Sequence, residues 1–126
     1  MSDDKPRVLV VEDEWLIAED IASRLRAAGY PVIGPVSSAA AARQLIDAGK
    51  ADVALLDIQL NGETSLPVAE TLLARGIPFA FMTGFGPRDV PTPFRNCKFV
   101  PKPAGDAALL NTLADLASLR PDKHSL

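Results

Sequence analysis

Three apolar runs in this sequence stop at residues suited to phosphate chemistry, and a fourth leads into one. Arg7-Val-Leu-Val-Val11 runs into Glu12-Asp13, and Val53-Ala-Leu-Leu56 stops at Asp57. Phe79-Ala-Phe-Met82 stops at Thr83, and Lys98-Phe-Val100 leads to Pro101-Lys102-Pro103. If the runs are parallel strands of one sheet, acids, hydroxyl and amine emerge at one edge. Ligands of open parallel sheets bind beyond the carboxyl ends of the strands, where the strand order reverses. Gathered there, the three carboxylates and one ammonium carry a net charge of −2. Two carboxylates about 4 Å apart repel by roughly 4 kcal/mol at an effective dielectric near 20, so the cluster is strained without a cation. Mg²⁺ fits best, because it takes one or two carboxylates and keeps positions for water and phosphate oxygens. With the charge cancelled, a carboxylate can attack an anionic phosphoryl group, a transfer that needs mainly alignment and neutralisation. Asp57, directly on a buried run, is the candidate nucleophile, while Glu12 and Asp13 are placed to hold metal. Lys102 can pair with one phosphoryl oxygen and Thr83 can donate a hydrogen bond to another. The N-terminus of a helix after Asp13 adds a favourable dipole.

The elements that must position these residues alternate along the chain, which argues for a parallel α/β sheet. Val8–Val11 is short, continuous and valine-rich, as expected of a strand covered on both faces. Glu14–Ala28 carries Ile17, Ile21, Leu25 and Ala28 at helical spacing, with Gly29 as its stop. Tyr30–Val36 reads as a short strand whose Pro31 and Pro35 suit an edge position. Ser37 or Ser38 can cap a helix running to about Ala48. Val53–Asp57 is the third strand, followed by an Asn61-Gly62 turn. Ser65 and Pro67 start a helix that Gly76 ends, and Ile77–Thr83 is the fourth strand. The fifth strand, near Lys98–Val100, precedes a helix over Asp106–Leu119 with Leu109, Leu110, Leu113 and Leu116 facing inward. Between the fourth and fifth strands a helix is due. There Pro91 and Pro93 each remove a backbone donor and bias their predecessors away from helix. That helix is expected to be absent, a single turn, or mobile over residues 84–96. The tail, Pro121–Leu126, is expected to fray.

Composition narrows the function classes. The chain has 126 residues, enough for a domain with its own core. It is 48% hydrophobic and 23% charged, as in ordinary globular proteins. A net charge of −3 gives no electrostatic reason to bind nucleic acid. A single cysteine, Cys97, permits no internal disulfide. No apolar run approaches the roughly 20 residues a membrane helix needs, and the polar N-terminus holds no signal core. A cytoplasmic protein without membrane or nucleic-acid partners is therefore expected.

The set Glu12-Asp13, Asp57, Thr83-Gly84 and Lys102-Pro103 resembles the receiver domain of bacterial two-component response regulators. The resemblance runs in order over residues 6–119, so residues 1–126 read as one receiver domain without an output domain. It implies a flavodoxin-like fold: a doubly wound, five-stranded parallel sheet with strand order 2-1-3-4-5. It implies that Asp57 accepts phosphate from a histidine kinase or histidine phosphotransfer protein. It implies Mg²⁺ ligation by Asp13, Asp57 and the backbone carbonyl of Gln59, with Glu12 holding a coordinated water. Thr83 and Lys102 would contact the phosphoryl group, and Lys102-Pro103 would be cis. Phe99, three residues before Lys102, matches the family's rotating aromatic switch; a plain core aromatic is the alternative reading.

Two departures stand out. Most receivers carry a proline in the loop after the phosphoacceptor, whereas Ile58-Gln-Leu-Asn-Gly-Glu63 has none. Phe81-Met-Thr-Gly-Phe85 is similar to a smaller group with a Phe-Ala-Thr-Gly signature, often stand-alone and weak in the fourth helix. Partner recognition is then expected to rest on an order–disorder change in residues 84–96. Among single residues, Trp15 reads as half-buried packing or as an exposed anchor for a kinase's helical phosphotransfer domain. Cys97 reads as an inert thiol and His124 as an exposed tail residue. Phe85 and Phe94 read as loop packing or docking residues.

The leading function is a phosphoacceptor that acts by protein contact or as a phosphate relay or sink, catalysing only its own phosphorylation and dephosphorylation. A Mg²⁺-dependent phosphatase with an aspartyl-phosphate intermediate would place a second acid two residues after the nucleophile, where this chain has Gln59. A non-phosphorylated pseudo-receiver would lose the acid pair, phosphoacceptor or lysine, and all are present.

Overall fold

In the computed structural model, residues 5–84 and 90–119 are described. Five parallel strands form the sheet: β1 (Val8–Val11), β2 (Val32–Val36), β3 (Val53–Asp57), β4 (Phe79–Thr83) and β5 (Lys98–Pro101). Their spatial order is β2-β1-β3-β4-β5, the doubly wound order expected from the resemblance. The helices are α1 (Trp15–Ala27), α2 (Ala39–Asp47), α3 (Leu66–Arg75) and α4 (Asp106–Leu119). None of them is long and apolar enough to cross a membrane.

Alternation along the strands explains the two layers of core. Leu9, Val11, Ala54, Leu56 and Phe81 point to one face, where Ala42 and Ile46 of α2 and Val68 and Leu72 of α3 cover them. Val8, Val10, Leu55, Met82 and Val100 point to the other, under Ile21 and Leu25 of α1 and Leu109, Leu113 and Leu116 of α4. Leu110 is half-buried against that second cluster. Period-2 strands carrying apolar residues on both faces need helices on both faces. The chain leaves β1 on one side, reaches β2, and crosses back over β1 to β3. The strand order therefore reverses between β1 and β3.

Local chemistry sets the element ends. The Ser38 hydroxyl caps α2 by accepting from the Ala41 N–H at 3.1 Å. Pro67 sits in the first turn of α3, and Gly76 closes it in the left-handed region at φ 69°. Gly34 is required on β2: at φ 91° an added Cβ would lie 2.8 Å from the Val36 nitrogen. There the β1–β2 register breaks between Leu9 and Val11; Pro35 falls on this edge strand, and Pro31 lies just before it. Both Gly34-Pro35 and Lys102-Pro103 are cis, the second as the resemblance implies. Strand β2 begins at Val32 rather than Tyr30, because Tyr30 is used as a buried residue under the sheet.

The stretch between β4 and β5 holds a single 3₁₀ turn, Thr92–Phe94, among its described residues. Pro93 lies in that turn, and Val90 and Phe94 fill the core position a helix would cover. Phe94 is thus packing: its ring meets Phe81 edge-on at 6.0 Å. The remainder of the expectation for residues 84–96, with Phe85, falls on residues 85–89, outside the described residues. The tail and His124 lie outside them too. Trp15 is not half-buried packing: it is 70% exposed beside the equally exposed Leu16 in the first turn of α1. Cys97 is half-buried, and burial raises its thiol pKa.

Candidate active site

All four strand-end motifs reach one place. Strand β1 ends at Val11 and delivers Glu12, whose side chain is fully buried. Its Oε2 accepts from the Glu14 N–H at 3.1 Å and its Oε1 from Lys102 Nζ at 3.1 Å. Asp57 is the last residue of β3, and its Oδ2 lies 3.4 Å from the same ammonium. One oxygen each from Glu12, Asp13 and Asp57 lies within 4.8 Å of the others. Thr83 closes β4, buried beside Pro101 of β5. Its carbonyl accepts from the Lys102 N–H at 2.9 Å, so the lysine backbone is fixed to the strand carrying the threonine.

Gln59 sits on a two-residue hairpin, Gln59–Leu60 with Glu63–Thr64, closed by the Asn61-Gly62 turn. This hairpin occupies the loop in which the resemblance leads one to expect a proline. Leu60 is buried in the core, and Glu63 Oε2 accepts from the Ala39 N–H at 3.0 Å, anchoring the hairpin to the start of α2. Asp13, Glu14, Asp57, Ile58, Gln59, Thr83, Gly84 and Lys102 line one cleft of about 480 Å³. Phe99 is outside that cleft. It is half-buried on β5 with its ring 5.6 Å from Phe81 and tilted by 31°, a geometry compatible with both of its readings.

The electrostatics show what the site lacks. Burial pushes the Glu12 carboxyl from 4.5 up to about 7, helped by the Asp57 charge and opposed by the Glu14 amide and Lys102. Asp57 is raised too, by burial first, against the pull of Lys102 and a hydrogen bond with Glu12. Lys102 is raised although burial acts against it, because Glu12 and Asp57 hold its proton. Carboxyls that resist ionising beside an ammonium that resists neutralising mark a shortage of positive charge. A hard, oxygen-preferring divalent ion fits this donor set.

Sequence reading missed Glu63 and Arg24. Arg24 donates to the Ala104 carbonyl at 2.7 Å and to Asp106 at 2.8 Å, across 80 and 82 residues of chain. No local pattern signals contacts at that separation. Missed as well is a second cleft of about 400 Å³, in which Trp15 and Glu19 join Glu12 and Asp13 against Pro35, Val36 and Ser37.

Comparison with known proteins agrees with this geometry. The family model of the response regulator receiver domain matches residues 8–114. The transcriptional regulatory protein PdtaR of Mycobacterium tuberculosis is 32% identical over 85 residues, 67% of this chain and 42% of PdtaR. The chain therefore spans less than half the length of that relative. The BeF3-activated conformation of SdrG from Pseudomonas melonis Fr1 is 38% identical with a TM-score of 0.77, covering 93% of this chain and 99% of that one. The response regulator PhyR from Brucella abortus is 32% identical with a TM-score of 0.73, covering 90% of this chain and 47% of PhyR. Because the matched residues span all five strands and every residue of the cleft, the chain belongs to the response regulator receiver domain family.

Proposed function

We propose that the chain is a phosphoacceptor: Asp57 takes a phosphoryl group from a phosphohistidine on a histidine kinase or histidine phosphotransfer protein. The observation that carries this reading is the convergence of three carboxylates and one lysine at the strand-order reversal. An Asp57 oxygen forms the new P–O bond as the donor's P–N bond breaks, and the imidazole nitrogen keeps the electron pair. Lys102, now held by Glu12 and Asp57, turns to a phosphoryl oxygen, and the Thr83 hydroxyl donates to another. Asp13, Asp57 and the Gln59 carbonyl would hold Mg²⁺, with Glu12 binding a coordinated water. Bound Mg²⁺ supplies positive charge to the attacking carboxylate and the phosphoryl oxygens. SdrG has a BeF3-activated conformation. Beryllofluoride imitates a carboxyl-bound phosphoryl group, which supports the same chemistry here.

In this reading the protein catalyses only its own phosphorylation and dephosphorylation. It works in the cytoplasm and acts on a protein target or passes the group onward. Phe99, leaning on Phe81 of β4, would follow Thr83 when its hydroxyl is drawn to the phosphoryl group.

Incubation with acetyl phosphate and Mg²⁺ tests this by intact mass. The expected result is a gain of one phosphoryl group that Asp57→Asn abolishes. Continuous release of phosphate from phosphoesters would instead mark a phosphatase, and no reaction a non-phosphorylated interaction module.

A further inference from the structure

The loop that carries Lys102 is tied at both ends. At its start the Lys102 N–H donates to the Thr83 carbonyl at 2.9 Å. Beyond it, Arg24 of α1 donates from Nη2 to the Ala104 carbonyl at 2.7 Å and from Nε to Asp106 Oδ1 at 2.8 Å. Its Nη1 donates to Asp20 Oδ2 at 3.1 Å, one turn back on α1. Only Pro103 separates Lys102 from the gripped Ala104.

We propose that Arg24 is a positioning residue for Lys102: by gripping Ala104 and Asp106 from α1, it fixes the backbone from which the lysine reaches Glu12 and Asp57. The lysine stem has four rotatable bonds, so where its ammonium lands depends on where its backbone is held. The grip depends on the planar fork, which holds a carbonyl and a carboxylate at a set angle as a lysine cannot. Charge alone contributes little, because Asp20 and Asp106 are 62% and 77% exposed. The part-buried bond to Ala104 is the one with consequence. Arg24 does not line the cleft of Asp57 and Lys102. It borders a neighbouring groove with Leu16, Met82, Pro103 and Ala104, and Lys102 is the residue that lines both this groove and the Asp57 cleft, so the effect of Arg24 on chemistry passes through Lys102.

The inference rests on the phosphoacceptor reading only for its kinetic readout, and the test has a second readout that does not. In ¹⁵N-labelled protein, the Lys102 ammonium held between Glu12 and Asp57 should give a slowly exchanging NMR signal. Arg24→Gln is expected to abolish that signal or move it to the position of free lysines. Arg24→Lys should do the same, because it keeps the charge and loses the fork, while Asp20→Asn leaves the signal in place. Arg24→Lys is the milder variant should Arg24→Gln fold poorly, and Asp106→Asn, which keeps an oxygen acceptor and the bond to Ala104, should leave the signal near its wild-type position. With saturating Mg²⁺, Arg24→Gln should slow acetyl phosphate labelling roughly tenfold, while Mg²⁺ affinity read by Trp15 fluorescence stays within about twofold. An unchanged Lys102 signal in Arg24→Gln overturns the inference. So does a parallel loss of rate and Mg²⁺ affinity, which would mean general loosening. If wild-type protein takes no phosphoryl group yet the Lys102 signal depends on Arg24, the phosphoacceptor reading fails and this inference stands.

Discussion

The central strand pair and the β5 edge are built differently, although both feed one site. Every residue of β1 and β3 is buried. In β5 only Val100 is; Lys98 and Pro101 are exposed and Phe99 is half-buried. The centre supplies three carboxylates, and the edge supplies Lys102, which reaches back to Glu12 and Asp57. Packing from both faces gives the acids the low dielectric and rigid backbone that make their mutual repulsion strong. The edge strand has one neighbour and lighter cover. On the phosphoacceptor reading, the charge is held at the centre and the response belongs at the edge.

The largest test of this contrast is stability. Leu55→Ala, in the centre of β3, should cost about 2–5 kcal/mol in a denaturant titration. Phe99→Leu, at the edge, should cost less than about 1.5 kcal/mol. Equal losses would mean the two regions are packed alike. Next comes Lys102→Met. Acetyl phosphate labelling should slow roughly a hundredfold, the size of losing one aimed electrostatic contact. Mg²⁺ binding should hold or tighten, because a competing cation has left the acids. A joint loss of metal and rate would show that the edge does more than neutralise.

The smallest expected effect is on pH dependence. Glu12 holds its proton up to about pH 7 in the folded chain against an ordinary 4.5. Between those values the folded state binds more protons than the unfolded one. The Glu12 contribution therefore lowers metal-free stability as pH rises through that window, with no further change above it. A cation must displace the same proton, so Mg²⁺ affinity should fall about tenfold from pH 8 to pH 6. Calorimetric titration at both values checks it, and a flat profile would place the metal away from Glu12.

Much of this was legible in the sequence because strands ending in chemistry are local patterns: an apolar run and the residue after it. Four such runs in order gave the site, the resemblance they carry gave the strand order, and Ser38, Pro67 and Gly76 marked helix ends by their own backbone preferences. What stayed hidden depends on distant partners. Trp15 looked able to pack, but nothing nearby in the sequence says that the first turn of α1 leaves it and Leu16 exposed. Glu63 carried no signal of its own in the sequence, and only folding brings it to the Ala39 amide. Arg24 carried no signal in the sequence either, and only folding sets it against Ala104. The 3₁₀ turn before β5 was half legible: its prolines forbade a helix, but the burial of Val90 and Phe94 follows from the space a helix left unfilled.

The most direct test is to locate the phosphoryl group. Protein labelled with acetyl phosphate and Mg²⁺ is reduced with borohydride, which converts a phosphorylated aspartate to homoserine, and is then digested and sequenced by mass spectrometry. The account predicts homoserine at position 57 and nowhere else. Reduction at Asp13, or at no carboxylate, would contradict it.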